Sequence, residues 1–183
     1  MTLEDEAGLA KRARSGDHDA FKILVRRHWP ALIQAARGMN VPATDVDDVV
    51  QDAFVAAWGS LEAYDPARSF RAWLFAIALN KMRDHLRFRK VRSFFFRAHD
   101  IHAEATPPIA DLAANPERDV VARQELQRVQ SVLGRLDPKL REALVLTGLV
   151  GMSQPEAASA LGISLKTIEG RVMRARAQLR ALI

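Results

Sequence analysis

The chain has 183 residues, and 49% of them are hydrophobic, enough to bury a core and to exclude global disorder. It carries no cysteine, which excludes disulfides, thiolate metal sites and cysteine nucleophiles, and its sparse Gly and Pro beside abundant Ala, Leu and Arg favour helices over strands. The net charge of +5 and a pI near 10.1 lean weakly towards nucleic acid.

The N-terminus, Met1-Thr2-Leu3-Glu4-Asp5-Glu6, is acidic and has no apolar core, so no secretion signal is expected there. Residues 4–14 predict a short amphipathic helix. Ser15-Gly16-Asp17 breaks it, with Asp17 placed to cap the next. Ala20, Phe21, Leu24, Val25 and His28 recur at helical spacing, and Pro30 is expected to kink or split that helix. Residues 38–42 read as a turn. A helix then starts near Thr44, where Asp45 and Asp47 suit the positive end of the dipole, with Val46, Val49, Val50, Ala53, Ala57 and Leu61 as its buried stripe. After a turn at Tyr64-Asp65-Pro66, Ser69 can cap a helix running to about Arg89, whose inner face is Phe70, Trp73, Leu74, Ile77 and Ala78.

Charge is segregated along this half. Residues 38–67 contain Asp45, Asp47, Asp48, Asp52, Glu62 and Asp65 with no Lys or Arg, net −6. Residues 68–97 contain nine basic residues against Asp84, net +8. Two partner surfaces of opposite sign would produce this pattern, as would ordinary solvated helix faces.

Residues 93–117 lose periodicity and are punctuated by Pro107-Pro108 and Asn115-Pro116, the signature of a linker. Fully extended, it would reach about 85 Å, at ~3.4 Å per residue. Phe94-Phe95-Phe96 at its start reads best as a hydrophobic plug on the first domain, and otherwise as a sticky site for a partner. Helical spacing resumes from Asp119 through Val120, Val121, Leu126, Val129, Val132, Leu133 and Leu136. Asp137-Pro138 then pairs a cap with proline at the first helical position.

The C-terminus carries the clearest motif. Ser153-Gln154-Pro155-Glu156 is a capping box. A short helix follows, and Gly162 stands where a left-handed residue must end it. Ser164 caps a second helix with the stripe Ile168, Val172, Ala175, Leu179 and Leu182. Small Ala158, the glycine turn and Ile168 come in the order a helix-turn-helix needs. The opposite face shows Lys166, Thr167, Gly170, Arg171 and Arg174, suited to the major groove: the arginines for guanine edges or phosphates, the glycine for close backbone approach. An ordinary helical hairpin with a basic face is the plainer alternative.

At this point the sequence resembles the extracytoplasmic-function (ECF) group of bacterial RNA polymerase sigma factors. One block of likeness runs Asp45-Val46-Asp47-Asp48-Val49-Val50-Gln51-Asp52-Ala53-Phe54-Val55-Ala56-Ala57-Trp58, then Tyr64-Asp65-Pro66, Ser69 to Ala78 and Asn80 to Arg87. The second runs from Leu136-Asp137-Pro138 through the helix-turn-helix to Leu179. The resemblance implies an all-α fold of two small helical domains joined by a flexible linker: residues 1–92, linker 93–117, and residues 118–183 with the helix-turn-helix. The first domain would read and help melt the −10 element; the second would bind the −35 element. The linker would run towards the RNA exit path, and the middle domain of longer sigma factors has no room.

Carried over by position, Asp48, Gln51 and Asp52 match the helix that docks on the clamp of the largest polymerase subunit. Asn80 and residues 61–71 match the region that captures flipped bases, with Arg68 and Arg71 at its edge. Tyr64, Phe70 and Trp73 are candidate stacking residues, though Phe70 and Trp73 lie on the apolar stripe and read better as core. Arg83, Arg87 and Arg89 would hold phosphates. Many relatives have a basic residue and a serine where this chain has Glu169-Gly170, which bears on the choice of upstream element. The resemblance further implies an anti-sigma partner, a stress-response setting, a cytoplasmic location, no cofactor and no membrane span. A stand-alone helix-turn-helix regulator would explain residues 137–183 but leaves the acidic and basic helices unexplained. An enzyme is a poor third, because His18, His28, His85, His99 and His102 are scattered and no phosphate-binding glycine loop or nucleophile motif occurs.

Overall fold

The computed structural model describes residues 5–99, 128 and 131–182, which form helices and turns with no strand among them. Four helices build the N-terminal half: α1 (Glu6–Arg14), α2 (His18–Gly38), α3 (Val46–Gly59) and α4 (Phe70–His99). Single 3₁₀ turns, Ala43–Asp45 and Leu61–Ala63, bracket α3. The C-terminal half has α5 (Pro138–Leu144), a π-helical turn (Val145–Leu149), α6 (Gln154–Leu161) and α7 (Leu165–Leu182). The linker prolines and the apolar positions Val120, Val121, Leu126 and Val129 lie outside the described residues.

The caps expected from the sequence form. Asp17 accepts from the Asp19 and Ala20 amides at 3.0 Å, and Arg12 reaches the same carboxylate from the end of α1. Ser69 accepts from the Ala72 amide at 3.2 Å. Asp137 accepts from the Lys139 amide at 2.9 Å with Pro138 opening α5.

Two local expectations are corrected. Pro30 does not split α2, which runs unbroken across it. An interior proline costs ~3 kcal/mol or more. Fully burying one leucine returns ~1.5–3 kcal/mol, and Leu24 before the proline, with Leu32, Ala35 and Ala36 after it, are all buried. Packing on both sides therefore outweighs the break. Secondly, α4 extends through residues 93–99, which composition assigns to a linker. Within that extension Phe95 is 61% exposed, so its ring does not plug the domain, while the side chains of Phe94 and Phe96 lie outside the described residues. At the start of α3 the Asp45 side chain makes no cap hydrogen bond. Its Oδ2 instead lies 2.9 Å from His85 Nε2 and accepts from Arg89 Nη1 at 2.9 Å, tying the start of α3 to α4.

One buried apolar cluster spans both halves. It joins Leu9, Leu24, Val50, Phe75 and Met82 to Val145, Leu146, Met152, Ala157 and Ile168. The join is close. A Cβ on Gly38, at the end of α2, would stand 2.8 Å from Leu149 Cδ1 and 2.9 Å from Val145 Cγ2. Only a glycine lets the π-helical turn sit this near to α2, and α6 packs on α4 beside it.

Candidate nucleic-acid interface

The helix-turn-helix is built as its sequence specifies. Ser153 and Glu156 close the capping box in both directions, with the Ser153 amide donating to Glu156 Oε2 at 3.0 Å. Gly162 is left-handed at φ 64°, where a side chain would be strained, and so turns the chain from α6 into α7. Ser164 accepts from the Thr167 amide at 3.2 Å. Ile168, Val172 and Ala175 are buried, which fixes the rotation of α7.

That rotation places Lys166, Thr167 and Arg174 in solvent, with Gly170 and Arg171 half-buried between them. No atom of the fold would obstruct a Cβ at Gly170, so its small size serves no internal packing. The Thr167 hydroxyl pairs with Ser164 Oγ at 2.8 Å, and Arg174 Nε donates to the Gly170 carbonyl at 3.2 Å. Leu165 and Met173 are exposed apolar neighbours able to meet thymine methyls. The helix thus presents cations, a hydroxyl and apolar groups on one open side, the mixture that reads base edges.

On α3, Val46, Val49, Val50, Ala53 and Ala57 are buried against the domain, leaving Asp48, Gln51 and Asp52 exposed on the outer side. Exposed Val55 extends the same face, an apolar contact that periodicity alone did not mark. Such a face, acidic with an apolar centre, repels DNA and complements a basic protein surface.

The basic face of α4 is arranged differently. Asn80 is exposed, and its Oδ1 accepts from Arg83 Nη1 at 2.8 Å. Arg83 also forks onto Glu142 of α5: Nε donates to Oε1 at 2.7 Å and Nη2 to Oε2 at 2.9 Å. Glu142 is only 6% exposed, and its carboxylate raises the affinity of Arg83 for its proton above the ordinary range. Arg71 Nη2 donates to the Val150 carbonyl at 2.6 Å. Arg68 is exposed, Arg87 is exposed and pairs with Asp84, and Arg89 is drawn to Asp45.

Tyr64 needs correction as a base-stacking residue. It is 4% exposed, lies edge-on to Phe70 at 5.4 Å between centroids, and donates its hydroxyl to the Arg68 carbonyl at 2.8 Å. It shapes the loop from inside and presents no ring to a base. Phe70 is buried and Trp73 half-buried, in keeping with their place on the apolar stripe. Glu142 is the residue that the sequence did not single out. On paper it is one more charge in a helix, and only the packing of α5 against α4 brings it to Arg83.

Comparison with known proteins places both halves in one family. Residues 24–92 match Sigma-70 region 2 and residues 126–179 match Sigma-70, region 4. The chain is 57% identical over 176 residues to the RNA polymerase sigma factor CnrH of Cupriavidus metallidurans, covering 96% of this chain and 92% of that protein. It is 31% identical over 170 residues to the ECF RNA polymerase sigma-E factor of Escherichia coli, covering 92% and 88%. The solved structure of CnrH in complex with the cytosolic domain of CnrY superposes with a TM-score of 0.76 at 51% identity, covering 97% of this chain and 96% of that one. Two charged helices in one domain, a helix-turn-helix in the other and full-length likeness to these proteins lead to one conclusion: the chain belongs to the extracytoplasmic-function group of bacterial RNA polymerase sigma factors.

Proposed function

We propose that this chain docks on the clamp of core RNA polymerase through Asp48, Gln51 and Asp52 and directs the enzyme to specific promoters. In this reading α7 lies in the major groove of the −35 element with Lys166, Thr167, Gly170, Arg171 and Arg174. Asn80 reads an unpaired base of the −10 element, while Arg68, Arg71, Arg83 and Arg87 hold the phosphates around it. Residues 1–92 and 118–183 act as the two functional units, and the chain between them follows the polymerase towards its RNA exit path. The protein supplies recognition and DNA melting, with the chemistry left to polymerase, so it is not itself an enzyme and works in the cytoplasm.

The observation that carries this reading is the pair of opposed faces on adjoining helices of one domain. The outer side of α3 is carboxylate-rich and free of cations, and α4 is lined with arginines. A single DNA-binding surface has no use for the first, and a protein-docking domain alone has no use for the second. Structural likeness to CnrH, which has been solved bound to the cytosolic domain of CnrY, supports an anti-sigma partner for this chain as well, and a stress-responsive role. Among the described residues no helix is long and apolar enough to cross a membrane.

The test is to add the purified protein to core polymerase and sequence the transcripts. Promoter-specific initiation that depends on the protein is the expected result. Failure to bind core, together with tight binding of duplex operator DNA by the protein alone, would instead make it a stand-alone regulator.

A further inference from the structure

The reading side of α7 carries one residue of the opposite sign. Glu169 is exposed, and among the described residues no hydrogen bond or ion pair satisfies its carboxylate. At four-residue steps Leu165, Glu169 and Met173 form one stripe along the helix, and Lys166, Gly170 and Arg174 form the next. The apolar members of the first stripe, Leu165 and Met173, are 46% and 68% exposed. The carboxylate therefore stands between two open apolar side chains, beside a row of two cations and a glycine.

Gly170 lies opposite the buried residues Ile168, Val172 and Ala175, at the centre of the outward face. A Cβ there would meet nothing within 4 Å, and glycine inside a helix weakens it. Its use is therefore outside the fold. With no side chain at the centre of the face, α7 sinks further into the groove, and the flanking side chains, Glu169 among them, come to the base edges.

A glutamate carried into the major groove is repelled by the phosphates on either side. A donor on a base edge offsets that repulsion, and only cytosine N4 and adenine N6 carry one there. Adenine sets its N7 acceptor beside the amino group, where it faces the second carboxylate oxygen. Cytosine has no acceptor on that edge, so it is the base that suits a carboxylate.

Resting on the function proposed above, we propose that Glu169 is a specificity-determining residue: its carboxylate accepts a hydrogen bond from the N4 amino group of one cytosine in the major groove of the −35 element.

The test combines the full chain with core polymerase on a promoter library randomised across the −35 element, and the transcripts are sequenced. The parent initiates about tenfold more often with cytosine at one position than with any other base there. Glu169→Gln offers a donor and an acceptor at the same place, the pair that matches adenine N7 and N6. Its preference at that position moves to adenine while the other positions keep theirs. Glu169→Ala narrows the preference there to within about twofold, and its holoenzyme binds promoters lacking the cytosine more tightly than the parent's, because a charge that repels phosphate is gone. Affinity for core polymerase is the same in all three.

A parent profile with no cytosine preference at any −35 position overturns the assignment, and so does a Glu169→Ala profile equal to the parent's. Weakened core binding by these variants, with the base profile intact, also overturns it and gives Glu169 to the polymerase surface. In each of these cases a parent that still initiates at specific promoters leaves the proposed function standing. A parent that directs no promoter-specific initiation brings down that function and this assignment together. Glutamine and alanine both favour helix and position 169 is exposed, so both variants fold, and a merely structural role would not exchange one preferred base for another.

Discussion

The outer face of α3 and the arginine-rich side of α4 belong to the same domain, carry opposite charge, and are treated in opposite ways by the fold. On α3, Asp48, Gln51 and Asp52 stand in solvent. On α4, Arg83 is drawn onto the nearly buried Glu142, and Arg71 onto a backbone carbonyl of the other domain. The difference follows from charge. The C-terminal domain brings an acidic group to the interface, which a basic helix accepts and an acidic helix would repel. One consequence is that the two surfaces are separable by mutation, and they should fail independently.

The largest effect is expected on the open acidic face. Asp48→Lys with Asp52→Lys should weaken binding to core polymerase by roughly 100-fold, on the order of 3 kcal/mol, because two favourable charge contacts become repulsive. Circular dichroism and melting should stay nearly unchanged, since exposed charges contribute little to stability. A folded double variant that is still pulled down by core as well as the parent would remove α3 from the docking surface.

Next comes α7, the basic helix that exposes Lys166, Thr167 and Arg174. Arg171→Ala or Arg174→Ala should cost the holoenzyme ~1–3 kcal/mol in promoter binding and relax base preference within the −35 element. Unchanged affinity and preference in both variants would mean that α7 reads with another side.

On α4, Asn80→Ala should loosen preference at one position of the −10 element by about 1–2 kcal/mol while core affinity holds. Transcript sequencing from a randomised promoter library measures it. An identical base profile at every position would exclude Asn80 as a reader.

The smallest effect joins the two helices. The Thr44 hydroxyl, followed by His85 and Arg89, holds the Asp45 carboxyl below its ordinary value of 3.8. The folded pKa is thus the lower one, so the stabilisation is fully present above about pH 4 and is lost as pH falls through the folded value. Asp45→Asn should cost about 0.5–1.5 kcal/mol at neutral pH, and the melting curves of variant and parent should converge as acid protonates the parent's carboxyl. A gap that persists at pH 2 would assign the stabilisation to something other than this ionised group.

Much of this architecture was legible along the chain because it rests on local chemistry. Asp17, Ser69, Asp137, Ser153 and Ser164 cap helices through amides two or three residues away, and Gly162 turns the chain by its own backbone freedom. Helical periodicity likewise dictates that Ile168 and Val172 face inward, and so which side of α7 is left for DNA. The helix at residues 93–99 was hidden because composition there resembles a linker, and the continuity of α2 through Pro30 because burial outweighs a local break. Tyr64 was misread for a related reason: a loop aromatic looks available until the fold encloses it, and its hydroxyl finds the Arg68 carbonyl.

What the sequence determined by itself is the set of helices, their caps, the two signs of charge and the orientation of the reading helix, since each depends on residues within a turn or two of one another. What only the tertiary structure decided is which residues of those surfaces are engaged by the other half of the chain. Arg83 and Glu142 are 59 positions apart, Arg71 and Val150 are 79 apart, and Gly38 meets Leu149 across the whole N-terminal domain. No periodicity connects positions so distant; they meet because both halves contribute apolar side chains to one core, and burying that core carries the polar pairs into place with it.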